Sequence, residues 1–288
     1  MKKIKKMAFI GVGLINSSLA RDLMTKKFYE HSVAFSRTKK TRNILKKLKI
    51  VDKVEDSYEA TVKDADIIII GVPVEAFSSV IKRISSHLKS GAIVTDVGSV
   101  KKSLIRISEK LLPKDVDFVP GHPIAGTEHS GPEAGFKGLF KGGYCILTPT
   151  SKAKKESVNI VVKMWNLVGM KVDIMEPSYH DMVLAITSHI PHIIAYSIVG
   201  TVSNLEKSIK TEVIKYAASG FKDFTRIAAS DPVMWRDILL SNKDAILEML
   251  KIFKTDLAKL ELAIKKKDSK FLYNLFSKTR NIRKKITK

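Results

Sequence analysis

Met7-Ala-Phe-Ile10 leads straight into Gly11-Val-Gly13-Leu-Ile-Asn16, and the reading of that junction decides the fold. Four apolar residues closing on a glycine read as the end of a buried strand. Gly11 allows a tight turn, and Gly13 lets the backbone approach a pyrophosphate. Leu14 and Ile15 then open a helix whose N-terminus offers unpaired N–H groups and a positive dipole end. The third position of this pattern favours glycine or alanine for close helix–strand packing, and Asn16 stands there instead. A Gly-x-Gly turn is often only a tight loop. Here it opens a chain whose next strands arrive at regular spacing, which makes it a dinucleotide-binding turn.

Those strands are read at Met7–Ile10, Ser32–Phe35, Ile67–Val72, Ala92–Thr95, Phe118–Val119, Tyr144–Leu147 and Lys171–Ile174, with helical patterns at 14–27, 75–87, 100–111 and 152–168 between them. This alternation is the signature of a mostly parallel sheet. From Pro177 onward the strands stop, and 178–203, 205–218, 232–240 and 242–267 read as helix, with Pro191 and Pro232 as local breaks or starts. Residues 1–175 are therefore expected to form a Rossmann-like α/β domain and 176–288 an all-α domain. Ile246, Leu250, Phe253, Leu257, Leu260 and Ile264 repeat every 3.5 residues, with Leu247, Met249, Ile252 and Leu262 beside them. A helix apolar on more than one stripe needs more than one neighbour, which makes it either the central helix of the second domain or, the favoured reading, a homodimer interface.

Of the 288 residues, 51 are basic and 29 acidic, a net charge of +22 that raises nucleic acid, an anionic membrane or an acidic ligand as partner. Only nine of the basic residues are arginine, aromatics are 7%, and the dense basic runs Lys2–Lys6, Lys265–Lys267 and Arg280–Lys288 lie at or near the ends. Base readout favours clustered arginine and interleaved aromatics, so the pattern argues against nucleic acid and for a modest attraction of small anions. Cys145 alone permits no internal disulfide. The apolar runs Ile67–Pro73 and Ile193–Val202 fall short of the ~20 residues that span a bilayer, and the basic start reads as a lead into the first strand. A cytoplasmic protein without a membrane partner is expected.

After the second strand comes Ser36-Arg37-Thr38-Lys39-Lys40, with no acid to hold the ribose hydroxyls of NAD. Arg37 is suited to pair with a 2′-phosphate and stack on adenine, and Ser36 and Thr38 to donate hydrogen bonds, so NADP is favoured over NAD. In a doubly wound sheet the chemistry lies beyond the carboxyl ends of the strands. The third strand is followed by Gly71-Val72-Pro73, a short loop placed to pass near the coenzyme. The fourth is followed by Asp96-Val-Gly98-Ser99-Val-Lys101, and the fifth by Gly121-His122-Pro123-Ile-Ala-Gly126-Thr127-Glu128. The helical half contributes Ser188-His189-Ile-Pro191-His192, Gly220-Phe-Lys222-Asp223-Phe-Thr225-Arg226 and Trp235.

Together these runs, in order from about residue 6 to about 260, resemble the prephenate dehydrogenase family, which includes arogenate and cyclohexadienyl dehydrogenases of tyrosine biosynthesis. The resemblance implies a nucleotide-binding domain followed by a helical substrate-binding domain that dimerises. It implies NAD(P)-dependent oxidative decarboxylation of prephenate to 4-hydroxyphenylpyruvate. It gives His122 the role of base and Ser99 that of orienting the hydroxyl and imidazole, although Ser99 is also placed to cap a helix starting at Val100. A substrate with two carboxylates needs cationic or strong donor groups, a role the resemblance gives to the run containing Arg226 and Lys222. His192, His189, Thr127, Glu128 and Ser188 are further contacts, and Trp235 either walls the site or belongs to the core. No third ligand follows His189 and His192 at a spacing that suits zinc, so no metal is expected. Arogenate as substrate is the nearest alternative; a non-catalytic dinucleotide sensor would need neither His122 nor Arg226.

Overall fold

The computed structural model describes residues 3–127, 129–205 and 207–286. Strands β1 (Ile4–Ile10), β2 (Tyr29–Phe35), β3 (Lys53–Val54), β4 (Ile67–Ile70), β5 (Ile93–Asp96) and β6 (Asp117–Val119) form one sheet in the order β3-β2-β1-β4-β5-β6. Every neighbouring pair in it is parallel. Helices α1 (Leu14–Leu23), α2 (Lys39–Leu48), α3 (Tyr58–Val62), α4 (Val74–Ile84), α5 (Lys102–Leu111) and α6 (Lys155–Leu167) accompany the strands of this half. Successive residues of β1 point to opposite faces, so Met7 and Phe9 join one core with Leu19 and Trp165, while Ala8 and Ile10 join another with Phe77 and Leu104. The four isoleucines of β4 are all buried, as a strand covered on both faces requires.

The register levels the carboxyl ends of the strands. Ile10 lies opposite both Phe35 and Ile70, and Ile70 lies opposite Asp96. Gly11, Ser36, Gly71 and Val97 therefore leave the sheet along one rim. The order reverses between β1 and β4, and the diverging loops there open the crevice in which such folds bind ligands.

The last strands depart from the single sheet expected from the sequence. A second sheet is formed by β7 (Gly121–Pro123), β8 (Tyr144–Leu147) and β9 (Lys171–Ile174), with β7 antiparallel and β9 parallel to β8. Pro120, which has no N–H for a ladder, separates β6 from β7, and the chain changes partner there. The helix expected at 14–27 ends at Leu23, and Lys27 turns the chain with φ of +50°. Helix α2, absent from the sequence reading, begins where the Thr38 side chain accepts the N–H of Thr41.

The second half contains α7 (Pro177–Leu184), α8 (Ile190–Ser203), α9 (Lys207–Tyr216), α10 (Ser219–Thr225), α11 (Pro232–Ser241), α12 (Lys243–Lys265) and α13 (Ser269–Ile286), the last being the basic tail. A π-helical turn at Ala185–His189 joins α7 to α8, giving one run of 27 residues, Pro177–Ser203. This turn directly precedes Pro191, whose missing N–H the altered hydrogen-bond register accommodates. By length and composition the run could cross a bilayer. It nevertheless buries His180, Asp181 and His189. The half's own core is small: Ala185, Ile190 and Ile246, with partly buried Leu250 and Phe253 against them. Farther along the same α12 seam, Leu257 is 53% and Ile264 65% exposed.

One buried ion pair fixes the rim near β5. Lys101 Nζ contacts Asp96 Oδ2, and both residues are almost wholly out of solvent. The same ammonium donates to the Gly121 carbonyl at 2.6 Å. Asp96 in turn accepts N–H bonds from Gly98 at 2.8 Å and Gly121 at 3.2 Å. Burial pushes the Asp96 carboxyl above its ordinary value, against the pull of Lys101 and these donors. Removing one partner of such a pair leaves an uncompensated buried charge. Lys101→Met is expected to destabilise the protein by about 3–5 kcal/mol, and Lys101→Met/Asp96→Asn by clearly less, as measured by urea unfolding.

Candidate active site

The switch-point crevice is a cleft of about 610 Å³ between the nucleotide half and the start of α11. Gly13, Leu14, Ile15, Val72 and Pro73 line one side, and Ser99, His122, Gly126 and Thr127 line another. Asp231, Val233, Met234 and Ile238 close it from the helical half. The structure thus gathers residues from four strand ends into one space.

The glycine turn fits a dinucleotide. Gly11 has φ of +73°, and a Cβ there would meet the Gly71 carbonyl oxygen at 2.6 Å. A Cβ on Gly13 would meet nothing within 4 Å, so a ligand has open access to that backbone. Asn16 is buried and donates its amide to the Gly11 carbonyl at 2.9 Å, pinning the turn. A Cβ on Gly71 would meet that amide at 2.5 Å. The Asn16 side chain therefore replaces close helix–strand contact by a hydrogen bond to the strand end. Its buried Oδ1 has no hydrogen-bond partner in the protein.

At the end of β2, Ser36 is buried and its hydroxyl accepts the Val12 N–H at 3.1 Å. Ser36 thus fastens the glycine turn. Thr38 caps α2. Arg37 is exposed, and its carbonyl and that of Ser36 are both held by Arg42 at 2.9 Å. Arg42 also pairs with Asp56, which the turn after β3 brings close to this rim. An acid is therefore near after all, though 76% of its side chain is exposed and it faces Arg42.

His122 sits in the middle of β7, opposite Ile146, instead of in a loop. Its imidazole is 8% exposed; burial, followed by the charges of His180 and Lys101, holds its pKa well below the ordinary histidine value. His122 Nδ1 lies 2.9 Å from His180 Nε2, and His180 Nδ1 lies 2.8 Å from Asp181 Oδ1. Burial acts to raise the Asp181 carboxyl, but the bonds from His180 and from the Lys101 and Lys102 N–H groups hold it below its ordinary value. Ser99 lines the cleft half-buried but does not cap a helix: α5 starts at Lys102, and Asp181, from α7, receives its first N–H groups.

The helical residues form a second group. His192 stacks on Trp235 with ring centroids 3.5 Å apart, and its Nδ1 donates to the Ser188 carbonyl at 2.9 Å. Burial first, and then the charge of Arg226, lowers the His192 pKa. Trp235 is 7% exposed and belongs to the core that also contains Ile238. His189 is 1% exposed and faces Asn242 Nδ2 at 3.2 Å, with its pKa lowered to about 4 by burial. It contacts neither solvent nor the cleft. Arg226 and Lys222 are exposed on α10 and the short turn after it. Thr127 accepts the His129 N–H at 3.2 Å, and Glu128 lies outside the described residues. No group of three or more histidine, cysteine, aspartate or glutamate side chains is placed to hold a metal among the described residues. Sequence reading missed His180, Asp181 and Asn242, because their contacts arise from α7 meeting the start of α5 and β7, and from Asn242, before α12, meeting α7 and the π turn. The adjacent His180-Asp181 pair at the start of the first long helix was the one visible signal.

Comparison with known proteins gives a consistent picture. The family model for the prephenate dehydrogenase nucleotide-binding domain matches residues 19–174, and that for the prephenate dehydrogenase dimerisation domain matches 176–278. Cyclohexadienyl dehydrogenase of Zymomonas mobilis is 39% identical over 286 residues, covering 98% of this chain and 96% of that protein. Prephenate dehydrogenase of Bacillus subtilis is 33% identical over 274 residues, covering 95% and 74%. The crystal structure of Aquifex aeolicus prephenate dehydrogenase, in complex with hydroxyphenyl propionate and NAD+, superposes with a TM-score of 0.92 at 34% identity, covering 99% of each chain. With both halves matched in order around one crevice, the chain belongs to the prephenate dehydrogenase family, a family of oxidoreductases.

Proposed function

We propose that the protein oxidatively decarboxylates prephenate to 4-hydroxyphenylpyruvate and CO2, with residues 1–175 holding the coenzyme and 176–288 contributing substrate contacts and the dimer interface. The observation that carries this reading is the placement of a buried histidine, His122, and Ser99 on the same cleft as the glycine turn. A bound nicotinamide dinucleotide supplies the hydride acceptor. Gly11, Gly13, Leu14 and Ile15 would hold its pyrophosphate, with Val72 and Pro73 alongside.

As hydride leaves the hydroxyl-bearing ring carbon, His122 takes the hydroxyl proton. The electron pair of the bond to the ring carboxylate then enters the ring, CO2 departs, and His122 returns the proton to the phenolate oxygen. Aromatisation drives the step. Ser99 orients the hydroxyl. Arg226, Lys222 and His192 bind the substrate carboxylates, with Ser188 and Thr127 as further donors. His122 is kept neutral by burial, so it is ready to accept a proton at pH 7.

Exposed Arg37, at the end of β2, supports NADP as the preferred coenzyme; NAD, bound by the Aquifex neighbour, is the competing one. The name of the Zymomonas relative makes arogenate the competing substrate. The open half of the α12 seam, with Leu257 and Ile264 exposed, supports a homodimer in which a second copy covers it.

Steady-state assays of prephenate-dependent NADPH or NADH formation, run beside arogenate, test the reading as a whole. His122→Asn is expected to lower kcat by about 10²–10⁴ with coenzyme binding retained, and Arg226→Ala to act mainly on the prephenate KM, by tenfold or more. Near-normal turnover of His122→Asn sinks the assignment. Arg37→Ala is expected to raise the KM for NADP by about tenfold and leave that for NAD unchanged. Sedimentation of the intact protein is expected to give a dimer, and Leu257→Lys/Ile264→Lys to shift it toward monomer.

A further inference from the structure

The contacts behind His122 form a chain that ends in a carboxylate. Asp181 Oδ1 and Oδ2 accept backbone N–H bonds from Lys101 at 2.9 Å and Lys102 at 3.0 Å. These are the first N–H groups of α5, where the helix dipole also favours a negative charge. The ionised carboxylate has no proton to give, so its 2.8 Å contact with His180 Nδ1 is an N–H donated by His180. A neutral His180 then has a bare Nε2, and the 2.9 Å contact with His122 Nδ1 requires His122 to donate. The one remaining nitrogen, His122 Nε2, is left with its lone pair.

A second arrangement also satisfies both contacts. His180 carries two protons, donates to His122 Nδ1, and leaves the His122 proton on Nε2, where it blocks the ring as a base. Several features oppose it. His180 is 0% and His122 8% exposed, so the added charge is denied water. The Lys101 ammonium acts on His122 from α5 and is itself already matched to Asp96 of β5, while His189, from the π turn, is neutral near pH 7. Among the described residues a single carboxylate, that of Asp181, contacts the pair, and it does so through His180. It is moreover held from both sides, because its own backbone carbonyl accepts the Asn242 amide at 2.8 Å.

We propose that His180 and Asp181 are positioning residues that fix the tautomer of His122, directing its proton to Nδ1 and leaving Nε2 as the acceptor of the substrate hydroxyl proton. The kinetic part rests on the reading of His122 as the base; the tautomer itself does not. During turnover the proton moves from the substrate oxygen to Nε2 and back again, so nothing beyond the reaction's own atoms is consumed. Asp181 stays ionised throughout and stabilises the transient imidazolium through His180.

The first test is the tautomer in the intact protein without substrate, read by nitrogen-15 histidine NMR between pH 6 and 8. His122 protonated at Nδ1 is expected; protonation at Nε2 overturns the proposal whatever the enzyme's substrate proves to be. The second compares His180→Gln, whose amide oxygen can still accept from His122 Nδ1, with His180→Leu, which cannot. His180→Gln is expected to keep kcat within about tenfold, and His180→Leu to lose about 10²–10⁴ with the prephenate and coenzyme KM values within threefold. Equal kcat in the two variants, or a loss in KM alone, overturns the positioning role. Asp181→Asn is expected to fall between them and, by removing the charge that stabilises the imidazolium, to shift the acid limb of the kcat/KM profile to lower pH, whereas an unchanged profile and rate overturn its part.

Discussion

The arrangement of the cleft depends on one buried cation shared by two strand ends. Lys101 Nζ binds the Asp96 carboxylate at the end of β5 and the Gly121 carbonyl at the start of β7, while Asp96 binds the N–H groups of Gly98 and Gly121. The loop carrying Ser99 and the strand carrying His122 are thereby tied to one another. A hydrophobic pair of the same volume would fill the space, but it would not fix two backbone segments by direction. The backbone of the same Lys101 receives Asp181 from the helical half. One residue thus joins the end of β5 in the first sheet, the beginning of the second sheet and the helix that carries His180 and Asp181.

The legible part of the fold was the part governed by short-range pattern. The glycine turn, the fully apolar β4 and the β-branched strands each follow from local residue types, and their alternation with helices implies parallel pairing. The change of sheet after β6 was hidden because Tyr144–Leu147 and Lys171–Ile174 have strand patterns that fit either partner, and the decision is made at Pro120. Helix α2 was hidden for another reason: five of its ten residues are lysine or arginine and only Leu45 is fully buried, so its low apolar content masks an amphipathic helix.

In the site, residue type revealed His122 and Ser99 because both follow strand ends. It assigned Ser99 a helix cap that the structure gives to Asp181, some eighty residues away, a pairing no local pattern encodes. It read Ser36 as a donor to a phosphate; the structure adds that the hydroxyl oxygen accepts the Val12 N–H and so holds the glycine turn. Accepting that N–H uses a lone pair and leaves the hydroxyl its own proton to donate.

The distribution of charge completes the logic of the cleft. A base that works near neutrality must be dry enough to stay uncharged, and burial does this for His122 and His189 alike. A dianionic substrate needs the opposite, groups that stay cationic, and a lysine or arginine buried beside His122 would depress the imidazole further. Lys101, buried nearby and paired with Asp96, already acts on His122 in that direction. Lys222 and Arg226 lie on the exposed surface of the helical half, where solvent sustains their charge. Much of the chain's net charge of +22 is scattered lysine of this exposed kind, so the buried imidazole of His122 is spared most of it.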